Sequence, residues 1–244
     1  DVAARLMAGG VIPLNGLPEA IAAAEAAARL GQPRPTQSPL CLPGPGGTPV
    51  LVTEAEAKSR LAAHGLDLPG AARAATAAEA AAVATGLGFP VVLKGEGMAH
   101  KTEAGAIRLN LASAQEVEQA AQAMDSHGYL VEKMITGGVA ELLIGVLRDP
   151  AHGFVLTLAA GGTLTELWQD AASVLLPATA ADIDRALDSL RIAPLLAGWR
   201  GAPGADRTAI HGAIAAVSAY AMDNAATLEE VEVNPLICTP HRAI

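Results

Sequence analysis

Apolar and polar positions recur along the chain with two different periods, and these periods predict both helices and strands. Three Ala-rich runs begin with a Ser or Thr followed three residues later by Glu, the capping-box pattern that starts a helix. The pairs are Thr53 with Glu56, Thr76 with Glu79, and Ser113 with Glu116. They predict helices beginning near residues 54, 77 and 114. Two later amphipathic runs predict helices over about 180–190 and 207–222.

Short apolar runs between and after these helices predict strands. They cover residues 89–94, 106–111, 129–134, 140–147, 154–159 and 228–233. Because these strands do not alternate regularly with helices, the pattern favours mixed or antiparallel sheets covered by helices over a doubly wound parallel sheet. The predicted fold class is therefore α/β in the broad sense, of the α+β type.

The first fifty residues have a different organisation. An apolar run from Gly10 to Leu14 precedes an Ala-rich helix signal from Asn15 to Gly31, and together they predict a strand and helix left from a preceding α/β domain. Residues 32–49 hold six Pro and three Gly, a composition typical of a linker. We expect a domain remnant over 1–31, a linker over 32–49 and the main domain over 50–244. Because the chain starts without Met and stops at Ile244 after a strand-like stretch, we expect a fragment of a longer protein.

Composition and charge exclude several classes of partner. The hydrophobic fraction of 51% predicts a substantial core. A net charge of −9 and only two each of Phe, Trp and Tyr argue against nucleic-acid binding, which needs basic surfaces and stacking groups. The chain shows neither a signal peptide nor an uninterrupted apolar run of membrane-spanning length, so we expect no membrane partner. Its two cysteines, Cys41 and Cys238, lack metal-type spacing, which favours a reducing, cytoplasmic location.

The strand predicted over residues 89–94 ends in Lys94, and Gly95, Gly97 and Gly105 follow it. A lysine at the end of an apolar strand needs an anionic partner, and nearby glycines let backbone N–H groups approach phosphate oxygens. This pattern fits a clamp for a triphosphate. A solvated lysine before an ordinary hairpin loop is the alternative.

A second candidate segment ends the strand predicted over 129–134. An adenine slot needs apolar walls with backbone donors and acceptors, and the ribose hydroxyls need a carboxylate acceptor. Met134 would be a wall, and Glu141, after a break at Gly137-Gly138, would be the ribose acceptor. The alternatives are a core methionine and a surface charge.

Near the end of the chain, alternation with period two places Glu230, Glu232 and Asn234 on one face of a strand. Mg²⁺ prefers such oxygen ligands and completes its octahedron with water and substrate phosphates, so two protein ligands suffice. A solvated edge face is the alternative.

Taken in order, these segments resemble the ATP-grasp domain of NDP-forming acyl-CoA synthetases, a family related to the succinyl-CoA synthetase beta subunit. The resemblance covers residues 48–236. Its motifs are Leu51-Val-Thr-Glu-Ala-Glu-Ala-Lys58, Gly88-Phe-Pro-Val-Val-Leu-Lys94, His100-Lys-Thr-Glu-Ala-Gly105, Val131-Glu-Lys-Met134, Gly145-Val-Leu-Arg-Asp-Pro150, Gly161-Gly162 with Glu166 and Asp170, Arg200-Gly201, and Glu232-Val-Asn-Pro-Leu236. Residues 9–31 resemble the end of the CoA-ligase domain that precedes the ATP-grasp domain in single-chain members.

The resemblance implies a role for each matching residue. Lys94 would hold ATP phosphates, and Arg200 would neutralise phosphate or is a surface charge. Glu141 would bind the ribose hydroxyls, and Glu232 with Asn234 would bind Mg²⁺. Because a further metal-binding Asp of the family is not reached before Ile244, we expect an incomplete metal shell. The adenine would be contacted, largely through backbone, by Glu132, Lys133, Met134 and Ile135.

His100 lies in the family's His-Lys-Ser-Asp/Glu motif, with Thr102 in place of Ser. The resemblance implies that it is a second phosphoryl carrier, and that the first carrier histidine lies in the CoA-ligase part of the family. The implied reaction interconverts acyl-CoA, ADP and phosphate with free acid, CoA and ATP, so ATP or ADP, Mg²⁺ and CoA are the expected cofactors. CoA would be bound by CoA-ligase domains of the same longer chain or of a partner subunit. We expect an oligomer, and no acyl-CoA formation by the chain alone. The alternatives are a non-catalytic regulatory module fused to an acetyltransferase and another type of ATP-grasp carboxylate ligase.

Overall fold

The computed structural model describes residues 1–14, 16–31, 47–96, 107–162 and 170–244. It divides the chain into two compact units, Asp1–Pro39 and Leu40–Ile244, and this division falls inside the predicted linker. The first unit contains helices α1 (Val2–Ala8) and α2 (Leu17–Gly31), and neither helix buries a residue. Helix α2 confirms the predicted helix.

The strand predicted over residues 10–14 is wrong. Residues 11–14 have no regular structure, and helix α1, with its N-cap at Asp1, precedes them instead. A strand persists only when a neighbour satisfies its backbone hydrogen bonds. Within the described part of the first unit, no second strand is present to do so.

The second unit contains two four-stranded sheets, with strand orders β1-β4-β2-β3 and β7-β6-β5-β8, and all described pairings are antiparallel. The strands are β1 (Ala71–Ala74), β2 (Val91–Gly95), β3 (Ile107–Leu111), β4 (Tyr129–Lys133), β5 (Ala140–Asp149), β6 (Gly153–Ala160), β7 (Ala171–Leu175) and β8 (Glu230–Cys238). The helices are α3 (Glu54–Ala63), α4 (Ala77–Leu87), α5 (Ala114–Gln122), α6 (Ala180–Ser189), α7 (Ala193–Ala197) and α8 (Arg207–Asp223). The predicted fold class, with mixed or antiparallel sheets covered by helices, is confirmed, and the described sheets are of the antiparallel kind.

Helices α3, α4 and α5 begin at the predicted residues because their N-caps form. The side chains of Thr53, Thr76 and Ser113 each accept a hydrogen bond from the backbone N–H three residues later. The reciprocal bonds differ from a full capping box. Glu79 and Glu116 accept from the backbone N–H groups one residue before each N-cap, at 2.8 Å in both cases.

Each sheet is packed against its own hydrophobic core. In the first core, β2 and β4 pack against α4 and α5 through residues such as Val91, Leu93 and Val117. The second and larger core joins β5, β6 and β8 to α6 and α8. Helix α3 contributes Leu61 to this second core. No described helix is both long enough and apolar enough to cross a membrane.

Candidate functional site

The ammonium group of Lys94 lies between two carboxylates. Lys94 is on β2, and its Nζ is 2.8 Å from Glu132 Oε2 and 2.8 Å from Glu54 Oε1. Burial lowers the pKa of Lys94, but hydrogen bonds and charges from Glu132 and Glu54 outweigh burial and raise the pKa above its usual value. Lys94 is therefore a fixed cation held in one position.

The partner from the same sheet, Glu132, is on β4. Val92 faces Glu132 across the β2–β4 ladder, so Lys94 and Glu132 are diagonal neighbours on one face of the sheet. The Glu132 side chain is only 7% exposed and also pairs with Lys58. A buried carboxylate requires such partners. The side chain thus contacts the lysines, although the sequence suggested only an adenine contact through the backbone of this segment.

The other two members of the group come from helix α3. Glu54 and Lys58 lie one turn apart, with 3.2 Å between Glu54 Oε1 and Lys58 Nζ. Sequence reasoning did not assign either residue to the site. Their i,i+4 spacing predicts that they pair with each other, but nothing local indicates that they meet Lys94. We call Glu54, Lys58, Lys94 and Glu132 the four-charge cluster; two positive and two negative groups make it neutral.

The four-charge cluster predicts a specific pH dependence of stability. Burial raises the pKa of Glu54, but hydrogen bonds and charges from Lys94 and Lys58 outweigh it and lower the pKa from 4.5 to about 2. A carboxylate with a lowered folded-state pKa stabilises the fold above its unfolded pKa and loses this contribution as the pH falls through the folded value. We expect Glu54→Gln to reduce the free energy of unfolding at pH 6, and this deficit to shrink between pH 4.5 and 2. Denaturant titrations of both proteins across that range test this, and a deficit independent of pH would contradict it.

The segment predicted to contact adenine follows Glu132. The backbone N–H of Lys133 donates to the Gly70 carbonyl at 2.7 Å, and that of Met134 donates to the Pro90 carbonyl at 3.0 Å. The Lys133 side chain donates to the Phe89 carbonyl at 2.9 Å. These donors are used within the protein, so contacts with adenine would rely on carbonyl groups, on Ile135, or on the half-buried Met134 side chain.

Two other predicted residues, Glu141 and Asn234, both contact Gly162. The backbone N–H of Gly162 donates to Asn234 Oδ1 at 3.0 Å, and a Cβ at Gly162 would lie 2.1 Å from Glu141 Oε2. Gly162 has a φ of +85°, in the left-handed region. A Cβ at Gly161 would lie 2.6 Å from the Leu142 backbone. The glycine pair therefore allows the chain to approach the start of β5 closely, beside a carboxylate and an amide.

The predicted metal ligands lie on β8. Glu232 is exposed and faces Gly145 across the β5–β8 ladder, while Val231 and Val233 pack against the second core. Between Val233 and Leu236, where Asn234 lies, the strand carries one more residue than β5, so the register of the β5–β8 ladder shifts there. Exposed carboxylate and amide oxygens suit Mg²⁺. Among the described residues, no three His, Cys, Asp or Glu side chains form a metal-binding group, so these two ligands would need phosphate or water to complete the shell.

Two further motif residues lie in other surroundings. Arg200 is exposed, and its guanidinium lies over the Trp199 ring, 5.7 Å from the centroid. Asp170 is buried and accepts hydrogen bonds from the backbone N–H groups of Arg191 and Ile192, at 2.8 and 3.1 Å. These bonds hold the segment that leads into α7, so Asp170 has a structural role. His100, Thr102 and Glu166 lie outside the described residues.

Comparison with known proteins places these observations in a family. A family model described as an ATP-grasp domain matches residues 47–244. A trans-feruloyl-CoA synthase from an unknown prokaryotic organism is 34% identical over 215 residues, which are 83% of this chain and 30% of that protein. The beta subunit of ADP-forming acetate–CoA ligase II from Pyrococcus furiosus is 30% identical over 198 residues, which are 76% of this chain and 84% of that subunit.

A solved structure is also similar to most of this chain. It is acetyl-coenzyme A synthetase 1 of Candidatus Korarchaeum cryptofilum in complex with coenzyme A and Mg-AMPPCP, with a phosphohistidine segment that points towards the nucleotide-binding site. The TM-score is 0.68 at 29% identity, and the alignment covers 78% of this chain and 86% of that chain. The chain thus spans less than a third of the length of the synthase but most of the beta subunit and of this solved chain.

Proposed function

This chain belongs to the ATP-grasp domain family, and from that premise we propose that it binds Mg²⁺–ATP or Mg²⁺–ADP within an ADP-forming acyl-CoA synthetase. The observation that carries the proposal is the position of Lys94, a charged and largely buried ammonium held at 2.8 Å by two carboxylates. A lysine fixed in this way is suited to bind a phosphate oxygen as a point charge. The named activities of the relatives support the same assignment.

In the proposed site, different residues bind different parts of the nucleotide. Lys94 binds phosphate oxygens, and Glu141 accepts hydrogen bonds from the ribose hydroxyls. Residues 132–135 line the adenine. Arg200 would add positive charge that neutralises the phosphate groups. Glu232 and Asn234 would hold Mg²⁺, which supplies charge neutralisation of the phosphate oxygens during transfer.

The proposed reaction passes a phosphoryl group through His100. In the direction of ATP synthesis, acyl-CoA and phosphate yield free acid, CoA and a phosphoryl group bonded to an imidazole nitrogen. A terminal phosphate oxygen of ADP then attacks the phosphorus, the N–P bond breaks, and ATP leaves with a neutral imidazole. Neutral imidazole is nucleophilic near pH 7, and the positive charge of Lys101, the next residue in the sequence, would favour the neutral form.

The acyl-CoA part of the reaction requires other domains. We propose that CoA-ligase domains, on the same longer chain or on a partner subunit, bind CoA and the acyl group, and that the working enzyme is an oligomer.

We also propose a cytoplasmic location, because the chain has only two cysteines and Cys238 is free. Burial raises the pKa of the Cys238 thiol to about 12, which makes it unreactive.

Calorimetric titration of the full-length protein with ADP in the presence of Mg²⁺ tests the proposed nucleotide site, and we expect saturable binding below millimolar concentration. A parallel assay with CoA, ATP and a panel of carboxylic acids should show thioester formation and release of ADP. Absence of nucleotide binding at millimolar concentration would reject the proposal. Thioester formation with release of AMP would reject the ADP-forming reaction.

A further inference from the structure

Helix α3 connects the two cores of the second unit at the position of Lys94. Its residue Leu61 is 4% exposed and packs in the second core. Its first two turns carry Glu54 and Lys58, which pair with Lys94 and Glu132 of the first sheet. The ion pairs of the four-charge cluster therefore join a helix of the second core to strands of the first.

The two carboxylates that hold Lys94 are not equivalent. Glu132 is on the strand next to β2, and its side chain is 7% exposed. Glu54 comes from a separate helix, and its side chain is 36% exposed. If the Lys94 ammonium moved away from Glu132, a buried carboxylate would keep fewer partners, which is costly in free energy. Removal of Lys94 from Glu54 costs less, because Glu54 is partly solvated.

Glu54 also has other stabilising neighbours when Lys94 moves away. Lys58 Nζ remains 3.2 Å from Glu54 Oε1. Glu54 is the first residue of α3, where the helix dipole favours a negative charge. Of the two partners of Lys94, Glu54 is thus the one that an incoming anion can replace with less loss.

The neutral charge of the cluster affects how it attracts phosphate. The two carboxylates cancel the charge of the two lysines, so an approaching polyphosphate meets little net positive charge. A phosphate oxygen that contacts the Lys94 ammonium must therefore compete with a carboxylate that already accepts a hydrogen bond from it.

From this arrangement, and resting on the proposed nucleotide site, we propose that Glu54 occupies the phosphate position on Lys94 in the nucleotide-free protein and thereby lowers nucleotide affinity. When phosphate binds, Lys94 keeps its contact with Glu132 and exchanges Glu54 for a phosphate oxygen. Glu54 remains paired with Lys58. Glu54 is thus a residue that sets affinity, and the exchange weakens one link between α3 and the first sheet each time nucleotide binds.

The variant Glu54→Gln of the full-length protein tests this proposal, with Glu56→Gln as its matched control. Glu56 lies in the same helical turn, but it pairs with Arg60 and its side chain is 52% exposed. Calorimetric titration with Mg²⁺–ADP should show about three- to tenfold tighter binding for Glu54→Gln, the range between an exposed ion pair and a charged hydrogen bond. Glu56→Gln should stay within about twofold of the wild type. The gain should decrease at high salt, because it arises from charge.

Two further variants separate competition from a structural effect. Glu54→Ala also removes the carboxylate and should tighten binding as Glu54→Gln does, whereas Glu54→Asp keeps the negative charge and should stay near the wild-type affinity. If the wild type binds Mg²⁺–ADP and both Glu54→Gln and Glu54→Ala bind it equally or more weakly, the proposal is wrong but the nucleotide site is retained. Failure of the wild type and every variant to bind Mg²⁺–ADP would instead reject the nucleotide site itself.

Discussion

Replacement of His100 by alanine in the full-length protein is expected to abolish overall turnover and to leave nucleotide affinity within about twofold of the wild type. In the proposed mechanism the imidazole carries the phosphoryl group and does not hold the nucleotide. Loss of a covalent acceptor removes the reaction path itself, whereas loss of a binding contact only shifts an equilibrium. The expected result is therefore a large fall in kcat at an almost unchanged dissociation constant for Mg²⁺–ADP.

Radiolabelled phosphate incorporation gives the direct measurement for His100. The wild-type ATP-grasp domain should take up an acid-labile, base-stable label, and His100→Ala should not. His152→Ala is a suitable control, because this exposed histidine contacts Asp149 in the turn between β5 and β6. Wild-type labelling of His100→Ala would reject His100 as the carrier. A merely structural role would produce a rate loss of a few fold with the label retained.

Replacement of Lys94 by methionine should have the opposite effect and weaken nucleotide binding by about ten- to a hundredfold. A hydrogen bond to a charged group contributes about 1.5–3 kcal/mol, which corresponds to that range of affinity. Methionine keeps much of the apolar stem but provides no cation for phosphate. Calorimetric titration with Mg²⁺–ADP measures the change in affinity. Phosphorylation of His100 from acyl-CoA and phosphate, which does not use the nucleotide, should persist.

The same substitution also leaves Glu132 with fewer partners, so affinity and stability must be separated. Loss of one partner of a buried ion pair costs about 3–5 kcal/mol when no other partner remains, and Lys58 reduces that cost here. The double variant Lys94→Met with Glu132→Gln keeps the cluster neutral through Lys58 and Glu54. We expect it to recover most of the lost free energy of unfolding and none of the affinity. Recovery of affinity together with stability would show that Lys94 acts on the fold and does not hold phosphate.

Local sequence signals determined the elements whose formation depends on near neighbours. The starts of α3, α4 and α5 follow from N-caps at Thr53, Thr76 and Ser113, because a capping bond joins residues only three positions apart. Alternation and apolar runs identified β2 to β6 and the first four residues of β8, since most of these strands bury apolar side chains on at least one face. The ordered motifs from Leu51 to Leu236 indicated the family that the ATP-grasp match over residues 47–244 confirms.

The elements that the sequence did not reveal depend on distant partners. Strand β1 reads Ala-Ala-Arg-Ala and contains no β-branched or aromatic residue, yet it forms because β4 pairs with it from Ala71–Glu132 to Ala74–Tyr129. Residues 11–14 have apolar side chains but no described strand beside them, and they remain irregular. Strand formation in both places is decided by the presence of a neighbour, which no local pattern records.

The candidate site shows the same division. Sequence alone identified Lys94 as a cation at the end of a strand and placed Glu232 and Asn234 on one strand face as oxygen ligands. It assigned Glu141 separately to the ribose hydroxyls. Only the tertiary structure brought Glu54 to Lys94 across 40 positions and Lys58 to Glu132 across 74. Those contacts depend on the β2–β4 register and on the packing of α3 into the second core. Because charge pairing acts over a few ångströms in space and not along the chain, the neutral surroundings of Lys94 follow from the fold and not from any single motif.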